Sequence, residues 1–562
     1  MEPSSASSGP DRGSALRRWG PLAAIVVVIA IVGVIVIAGG GNGDDEGATT
    51  GTTTAAGERP EGAITFSQAK EEGLDVTFPD TCDTETGRVA MPDYFAPECY
   101  ADVDDNGGAT APGVTADSIT VVVYIAPDSD PILDFITGPI NADDTGAQAE
   151  ETYQGYTDMY NAMYQTYGRT VRLEFLHGTG ISTDAVAARA DAVKAVEELH
   201  AFAVWGGPVL SPAWTEEIKA RNVVCLGCPG VGENEPSAFP ITASGGQTRQ
   251  QLAEYVVKKL AGKPAAYAGD AALTTQERVF GQLFLQTPGG NQANEVADFE
   301  GLLGESGVSL AEKVAYELDP NRLQEQATSA IAKLKAAGVT SVIFTGDPIA
   351  PATFTREATN QGYFPEWIFG GSALVDTTAF GRTFDQEQWA HAFGISSLAA
   401  RTTPEIGAST FLYKWFKGTE PPADDTAGVL YPQPALFFAA IQAAGPNLTV
   451  DSFRAGLFAG EPTEAHAVTQ PAISYGEHGI WEGVDYNGID DFTEIWWDPT
   501  ATGVDEIGKQ GTGMLRYVDG GKRYLPGEWT DEMKVFDPAG SVTIYEERPP
   551  SETPKDYPSP AD

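Results

Sequence analysis

The sequence predicts an α/β protein in which helices cover parallel sheets and two similar lobes follow one another. Between Thr170 and Gly230, short apolar runs alternate with helical segments in the order strand, helix, strand, helix, strand. Neighbouring parallel strands need a crossover connection, which is usually a helix, and the helices then cover both faces of the sheet. A second series of the same kind begins after Gln250. Two successive series indicate two lobes rather than one large sheet.

The length and charge of the chain limit the classes of protein to which it can belong. A chain of 562 residues is too long for one hydrophobic core, so two or more domains are expected. The 79 acidic residues outnumber the 34 basic ones, and the formal net charge is −45. Such a charge argues against binding to nucleic acid or to anionic lipid through a basic surface. It is typical of a well-solvated, soluble surface.

The amino-terminal residues indicate export. Residues 1–21 are polar and contain arginines, whereas Leu22–Gly39 is wholly apolar and long enough, at about 1.5 Å per residue, to cross a hydrocarbon core. Because arginines precede this run and acidic residues follow it, we expect the amino terminus inside and the main body outside the cell. An uncleaved anchor is favoured over a cleaved signal, whose apolar part is shorter. Residues 40–63 are rich in Gly and Thr and predict a flexible linker.

The four cysteines form two local pairs. In an exported protein, Cys82 and Cys99 of the extension at residues 64–112 predict a disulfide, with two free thiols as the alternative. Cys225 and Cys228 lie on and just after a predicted strand, whereas a redox pair usually opens a helix. They therefore fit a local disulfide or a buried pair of thiols. The five histidines show no paired spacing, and neither a metal site nor a cofactor is predicted.

The first series of strands and helices locates a candidate binding site. It starts at Ser118–Pro127, a run of β-branched residues typical of a buried strand. Further along, Ser182 or Thr183 is expected to cap the helix that follows the second strand. Ligands of open parallel sheets bind beyond the carboxyl ends of the strands. The loops Gly206–Val209 and Cys228–Val231, which follow the third and fourth strands, are therefore the first places to look for a site.

The second series repeats the alternation. Pro264–Asp270 is predicted as a strand, and the segment after it as a helix capped by Thr274 or Thr275. Strands are then expected at residues 311–318, 340–347 and 366–372, and helices at 321–338, 404–416, 434–444 and 448–458. Extended runs around Asp519–Gly521 predict a β-hairpin. The tail Glu546–Asp562 is charged and rich in Pro, which predicts disorder.

Several local patterns resemble the type 1 solute-binding proteins of ABC importers, of the leucine/isoleucine/valine-binding kind. They are GVTADSITVVV from Gly113, YGRTVRLEF before the second helix, HAFAVWG at the third strand, and KLKAAGVTSVIFTG with NQGYFPEWIFGG in the second lobe. The resemblance covers about Gly113–Gly460. It implies two Rossmann-like lobes with parallel sheets, joined by a three-strand hinge. Such lobes close on a small solute and present it to a membrane permease.

With this resemblance, the chain divides into nine segments. They are a cytoplasmic amino terminus (1–21), a transmembrane anchor (22–39), a linker (40–63), an extension (64–112), two parts of lobe 1 (113–240 and 371–460), two parts of lobe 2 (241–370 and 461–545, the latter with the hairpin) and the tail (546–562).

The ligand contacts that the resemblance implies depart from the family pattern. Amino-acid-binding members have a run of small hydroxyl residues after the third strand, whereas here Ser211 is the one hydroxyl that remains. Backbone N–H groups of the loops could still bind a carboxylate. Asp347 could pair with a ligand ammonium group, with a helix cap as the alternative. For Thr275, the two possibilities are a contact with the ligand and a helix cap. The candidate ligand-binding residues are Gly207, Pro208, Val209, Ser211, Pro229, Gly230, Thr275, Gln276, Asp347 and Ser372.

The resemblance implies a membrane-tethered extracellular protein that captures a small polar ligand, such as an amino acid or amide, and delivers it to an ABC importer. The expected partners are the solute, the transporter permease and the membrane, but not nucleic acid. No HExxH, GxSxG or P-loop motif and no GxGxxG after the first strand is present, so no catalytic residue is predicted. Two alternatives are a sensory ectodomain that works with a partner receptor chain and a nucleotide-dependent α/β enzyme.

Overall fold

The structure is a computed structural model that describes residues 58–561, apart from residue 128 and residues 141–142, 232–234, 288–289 and 372–373. The predicted cytoplasmic segment, the anchor at Leu22–Gly39 and most of the linker lie outside the described residues. Within the part of the chain that is described, no helix is long and apolar enough to cross a membrane.

The extension before lobe 1 is folded and packs on that lobe. Its regular elements are α1 (Phe66–Glu72), β1 (Cys82–Asp83) and β2 (Arg88–Val89). The predicted disulfide between Cys82 and Cys99 is present. Arg169 of lobe 1 donates from its guanidinium group to the carbonyl groups of Asn106 and Pro446. These contacts fix the end of the extension to the outside of lobe 1.

Lobe 1 is built on a five-stranded parallel sheet with the strand order β4-β3-β5-β6-β7. Its strands are β3 (Ser118–Ile125), β4 (Thr170–His177), β5 (Ala203–Trp205), β6 (Val224–Leu226) and β7 (Ala238–Phe239). The helices between them are α2 (Pro131–Thr137), α3 (Gly146–Met163), α4 (Ala185–Glu197) and α5 (Ala213–Ala220). The β-branched run of β3 is almost entirely buried, as expected for an inner strand covered on both faces. The prediction of a parallel sheet covered by helices is confirmed for this lobe.

Lobe 2 is built on an eight-stranded mixed sheet, whose parallel part repeats the pattern of lobe 1. The parallel strands are β8 (Phe280–Leu285), β9 (Leu310–Tyr316), β10 (Ser341–Thr345), β11 (Glu366–Gly370) and β12 (Ala392–Ser396). The helices are α6 (Gly245–Tyr255), which continues into the π-helical segment Val256–Leu260, then α7 (Gln292–Gly304), α8 (Leu323–Ala336), α9 (Ala350–Asn360), α10 (Thr378–Gly381) and α11 (Gln386–Trp389).

The first strand of lobe 2 does not lie where the sequence placed it. Pro264–Asp270, predicted as a strand, forms turns, and the segment predicted as the following helix contains β8. Both faces of β8 are buried, so its apolar run does not alternate. A short run of this kind does not distinguish a strand from a buried helix. Gly281 is required by the packing, because a Cβ atom there would lie 2.7 Å from Val339 Cγ2.

The boundary between the lobes also differs from the prediction. The sequence assigned residues 371–460 to lobe 1, but β12 lies in that range and pairs in parallel with β11 of lobe 2. The chain re-enters lobe 1 after β12, where more helices pack against its sheet. These helices are α12 (Ala408–Lys417), α13 (Ala427–Leu430), α14 (Pro432–Ala444) and α15 (Val450–Ala459).

A β-hairpin completes lobe 2, but its turn lies earlier than predicted. The strands β13 (Phe492–Val504) and β14 (Gln510–Tyr517) pair antiparallel, so the turn is at residues 505–509 and not at Asp519–Gly521. The last strand, β15 (Arg523–Tyr524), pairs with the start of β13 and not with β14. Residues Asp519–Gly521 do form a turn, but this turn connects β14 to β15, and these two strands pair with different parts of β13.

The carboxyl-terminal tail is not disordered, contrary to the prediction. Residues 546–561 lie against the hinge and lobe 1 and include a short 3-10 turn at Pro550–Glu552. Glu552 is only 5% exposed, and Trp415 Nε1 donates to the carbonyl of Tyr557 over 3.1 Å. A low content of apolar residues predicts disorder only for a segment without partners. The partners of this segment are distant in the sequence.

The chain passes between the lobes at residues 240–244, 397–407 and 460–491, and a fourth time where the tail leaves lobe 2. The passing segments are bonded to one another. The N–H of Gly488 donates to the carbonyl of Pro240 (3.0 Å), and the N–H of Ala400 donates to that of Val468 (2.9 Å). The expected hinge of three crossing segments is therefore present, and the tail adds one more.

Arg523 joins the hinge segments at their lobe 2 end, and it is fully buried. Its Nε donates to Asp491 Oδ1 over 2.7 Å. Its other nitrogens donate to the carbonyl groups of Leu398 (2.8 Å) and Ser397 (2.9 Å). One guanidinium group thus holds β15, the start of β13 and the segment after β12 together.

Replacing Arg523 by Ala should destabilise the protein by about 3–5 kcal/mol, because the buried carboxylate of Asp491 would lose its cation. Arg322→Ala is the control, since Arg322 pairs with Glu317 at the surface, where such a pair contributes about 1 kcal/mol or less. Thermal unfolding of the two variants measures the difference. Equal shifts of the melting temperature would contradict the role given to Arg523.

Asp490, in the third crossing segment, should make stability depend on pH. It is buried, accepts hydrogen bonds from the Ser474 hydroxyl (2.7 Å) and Trp481 Nε1 (2.9 Å), and burial raises its pKa to about 7. The folded state therefore holds this proton more tightly than the unfolded state, and the stabilisation is lost as the pH rises from about 4 to 7. Melting temperatures across this range should fall less in Asp490→Asn than in the wild type. Identical profiles would show that Asp490 does not titrate there.

Candidate functional site

The carboxyl ends of the lobe 1 strands enclose a small cavity. Residues at the ends of β3, β4 and β5 and in α2 line it, namely Tyr124, Ala126, Pro127, Asp130, Leu133, Ser182, Gly207, Pro208 and Val209. Its volume is about 10 Å³, close to the space that one water molecule needs. The cavity lies where ligands of open parallel sheets bind, and it is the candidate site in this lobe.

The loop after β5 is held close to its neighbours by glycine. Gly206 has a φ of +74°, a left-handed conformation that favours glycine. A Cβ atom on Gly207 would lie 2.6 Å from Trp214 Cδ1 and 3.0 Å from Pro229 Cδ. This close approach brings Pro208 and Val209 into the cavity wall. Of the predicted site residues, the structure therefore brings Gly207, Pro208 and Val209 together.

Six of the nine cavity residues were missed as site residues in the sequence, among them Asp130 and Ser182. Asp130 is 1% exposed, and its carboxylate accepts hydrogen bonds from the N–H groups of Leu133 (3.3 Å) and Ser182 (2.5 Å). It thereby joins the loops after β3 and β4. The hydroxyl of Ser182 is buried and has no hydrogen-bond partner among the described residues. The chain positions of Asp130 and Ser182, just after two predicted strands, were the signal that could have identified them.

The Ser182 hydroxyl lies in the cavity wall because Ser182 does not cap a helix. The sequence offered Ser182 or Thr183 as the cap of α4, but the cap is Asp184. The carboxylate of Asp184 accepts hydrogen bonds from the N–H groups of Val186 and Ala187, each at 3.0 Å. Asp184, which directly precedes α4, thus accepts hydrogen bonds from the N–H groups of the first turn. The hydroxyl of Ser182 therefore stays in the cavity wall.

The remaining lobe 1 candidates lie behind the cavity wall. Ser211 is 2% exposed, and its hydroxyl accepts a hydrogen bond from the N–H of Ala213 at the start of α5 (3.3 Å). Pro229 is buried, and its carbonyl accepts a hydrogen bond from the Thr215 hydroxyl, while Gly230 follows with a φ of +67°. These contacts hold the loop after β6 against α5.

The loop after β6 is also cross-linked. Cys225 on β6 and Cys228 just after it form a disulfide, so the local disulfide is the correct one of the two readings left open by the sequence. The bond encloses Gly227, which has a φ of +65°. It fixes the path of the chain directly before Pro229.

In lobe 2, the Asp347 carboxylate is bonded to the turn that leads into α9. It is 1% exposed, and its Oδ1 accepts hydrogen bonds from the N–H groups of Ile349 and Ala350, both at 2.8 Å. Its Oδ2 accepts one from the Tyr316 hydroxyl at 2.5 Å. Burial raises the pKa of this carboxyl group. Both oxygens are therefore engaged within the protein, before the N-cap residue of α9, which is Ile349.

The other lobe 2 candidates do not join the site. Thr275 and Gln276 are exposed and precede β8, so they lie on the amino-terminal side of that strand. The error follows from the misplaced strand, because the loop at the carboxyl end of β8 begins at Gln286. There, the Gln286 side chain donates to the carbonyl groups of Thr287 and Gly290, each at 3.0 Å. Ser372 lies outside the described residues.

Lobe 2 touches lobe 1 next to the cavity loops. At the tip of the hairpin, Lys509 Nζ donates to the carbonyl of Ile140 over 2.8 Å. Buried apolar residues of the two lobes form one cluster, to which the cavity residues Tyr124 and Leu133 belong together with Tyr316 and Phe344 of lobe 2. The apolar wall of the cavity is thus part of the cluster that joins the lobes.

The wall of the cavity has few polar side chains. They are the Ser182 hydroxyl, the Tyr124 phenol and the Asp130 carboxylate, which is engaged with two N–H groups, and the other side chains of the wall are apolar. Within the described ranges, no group of three or more His, Cys, Asp or Glu side chains could hold a metal ion.

A family model described as periplasmic binding protein matches residues 131–479, more than half of the chain. The chain belongs to this family, and its lobes have the type 1 arrangement found in the solute-binding proteins of ABC transporters. No curated protein matches the chain.

Solved structures with a similar fold are substrate-binding proteins of ABC transporters. An amino acid transporter protein from Pseudomonas fluorescens is 14% identical with a TM-score of 0.49, and the match covers 76% of this chain and 99% of that one. A fatty acid transporter protein from Thermomonospora curvata is 13% identical with a TM-score of 0.48, covering 76% and 98%. The branched-chain amino acid protein LivJ of Streptococcus pneumoniae, in complex with isoleucine, is 14% identical with a TM-score of 0.45, covering 71% and 100%.

Asp347→Ala should lower the stability by about 1–3 kcal/mol, because two N–H groups and the Tyr316 hydroxyl would lose their acceptor in a buried place. Asp184→Ala is the matched control, since Asp184 also accepts hydrogen bonds from two N–H groups but at an exposed position where water can replace it. Thermal unfolding compares the two. A loss in Asp347→Ala no larger than that of the control would contradict the role given to the buried carboxylate.

Proposed function

We propose that this protein captures a small solute between its two lobes and delivers it to an ABC importer. The observation that carries the proposal is the cavity at the carboxyl ends of the lobe 1 strands, where a buried hydroxyl, that of Ser182, lacks a partner among the described residues. Membership of the periplasmic binding protein family supports the same function. The importer permease and the anchor at Leu22–Gly39 are parts of the proposal that rest on the sequence and on the family.

The solute has a mainly apolar body. Tyr124, Leu133, Pro208 and Val209 supply most of the cavity wall, and apolar surface favours apolar groups. Binding of a ligand ammonium group was one of two roles open to Asp347, but its oxygens accept three hydrogen bonds within the protein. We therefore infer a small organic acid, amide or apolar amino acid, whose polar group reaches Ser182. The acceptor of a ligand ammonium group, where one is present, is not Asp347.

Binding requires the lobes to move apart. A cavity of about 10 Å³ is far smaller than the sites of small ligands, which measure roughly 300–1,000 Å³. Rotation at the crossing segments opens such a site, as in other proteins that close around a ligand. The contact between Lys509 and Ile140 would break during opening and form again on closure.

A thermal-shift screen of residues 58–562 tests the function. The panel contains apolar amino acids, amides, fatty acids, aromatic carboxylates and nucleotides. A ligand at about a hundred times its dissociation constant should stabilise the protein by about 2.7 kcal/mol, because it binds only the folded state. The shift should weaken in Ser182→Ala and persist in Thr275→Ala, the matched control on the far side of β8. A ligand whose shift is equal in both variants would place the site elsewhere, and hits confined to nucleotides would favour an enzyme.

Lys509→Ala should favour the open arrangement by about 1 kcal/mol, roughly fivefold in the ratio of open to closed forms, because it removes a hydrogen bond between the lobes. Small-angle X-ray scattering should show a larger radius of gyration. Lys313→Ala is the control, since Lys313 pairs with Glu300 within lobe 2. An unchanged scattering curve in Lys509→Ala would mean that the contact does not hold the lobes closed.

A further inference from the structure

Residues 542–545, which directly precede the tail, connect lobe 2 to the hinge through two isolated β-bridges. Val542 pairs with Tyr517 of β14 through two hydrogen bonds, of 2.8 and 3.1 Å. Tyr545 then pairs with the second crossing segment. Its N–H donates to the carbonyl of Arg401 (2.7 Å), and its carbonyl accepts from the N–H of Thr403 (2.9 Å). The residues directly before the tail are therefore bonded to both lobe 2 and the hinge.

The middle of the tail is bonded to the third crossing segment. The carboxylate of Glu552 is buried and accepts hydrogen bonds from the N–H groups of Val468 (2.7 Å) and Thr469 (3.1 Å) and from the Thr469 hydroxyl. Hydrogen bonds to an ionised group are the strong ones, and a buried carboxylate without its donors would be costly. Glu552 thus joins the tail to a segment that must bend when the lobes separate.

The end of the tail is bonded to lobe 1 and to the extension. The Trp415 indole donates to the carbonyl of Tyr557 (3.1 Å), and the Tyr557 hydroxyl donates to Asp83 Oδ2 (2.7 Å). Lys555 Nζ lies 2.7 Å from the same carboxylate. The contacts with Lys555 and Tyr557 lower the pKa of Asp83, so its carboxylate stays charged at neutral pH. Asp83 follows Cys82, whose disulfide fixes this part of the extension.

Polar contacts, more than apolar packing, hold the tail in place. A cavity of about 50 Å³ lies under it, between the extension, the hinge and α12, with Arg548 and Glu552 of the tail in its wall. The Arg548 guanidinium lies over the Phe411 ring and donates to the carbonyl of Ile406 (3.2 Å). Because the underside of the tail is only partly filled, single polar side chains should decide whether it stays in place.

We propose that residues 542–561 form a strap that limits how far the two lobes open. The strap is attached to lobe 2 through Val542, to the hinge through Tyr545 and Glu552, and to lobe 1 through Tyr557. Separation of the lobes bends the crossing segments to which Glu552 and Tyr545 are bonded. The strap therefore stiffens the hinge and favours the closed arrangement, in which Lys509 meets Ile140.

Hydrogen exchange of the full-length protein, measured by mass spectrometry without any solute, tests the strap. In Glu552→Ala, peptides that contain Val468 and Thr469 should exchange about tenfold faster. Peptides at the contact between the lobes, residues 129–140 and 505–509, should also exchange faster. Glu547→Ala is the matched control, since Glu547 is an exposed residue of the same segment. Peptides of the core strand β10 should keep their protection in both variants.

The outcomes of this experiment separate a strap from a local contact. Faster exchange at Val468 and Thr469 with unchanged exchange at the lobe contact would overturn the proposal, because Glu552 would then only cap its own neighbours. No change at either place would overturn it as well. If Glu552→Ala loses protection in β10, the double variant Lys555→Ala, Tyr557→Phe replaces it, and it should speed exchange at the lobe contact. The test involves no solute, so its result is independent of the proposed function.

Discussion

The arrangement of the lobes depends on the buried guanidinium group of Arg523. It binds Asp491 and the carbonyl groups of Ser397 and Leu398, which belong to segments that leave lobe 2 for the hinge. An arginine can satisfy carboxylate and carbonyl acceptors together because its donors form a rigid, planar fork. The crossing segments therefore leave lobe 2 from one fixed point, and lobe motion is confined to the residues beyond it.

Two contacts outside the crossing segments connect the lobes at different distances from the hinge. The tail lies along the hinge itself, where Tyr545 and Glu552 bind crossing segments. The hairpin tip reaches across to lobe 1, where Lys509 binds the carbonyl of Ile140. A contact at the hinge changes the stiffness of bending, whereas a contact across the lobes adds directly to the free energy of the closed form. Both elements lie outside the residues that the family model matches.

The carboxylates near the candidate site already have structural roles, which limits the groups that are left to recognise the proposed solute. Asp347 and Asp130 were both available for binding a cation, but each carboxylate accepts hydrogen bonds from backbone N–H groups at the start of a helix or loop. A buried carboxylate that is engaged in this way contributes to stability and is costly to redirect. The hydroxyl of Ser182, by contrast, has no partner in the described part of the chain. Recognition of the proposed solute then depends on the apolar walls of the cavity and on few polar groups.

The sequence by itself determined the alternation of strands and helices, the disulfide of Cys82 and Cys99 and the position of Gly207, Pro208 and Val209 in the loop after a strand of lobe 1. These features are local, because periodicity, chain spacing and the end of a strand can be read from neighbouring residues. Tertiary structure alone decided that β8 is a strand, that Thr275 and Gln276 lie on the far side of it, and that the tail is ordered. A strand that is buried on both faces shows no alternation of apolar and polar residues in its sequence. Glu552 accepts hydrogen bonds from residues about eighty positions away in the chain. Burial and long-range pairing are properties of the assembled fold.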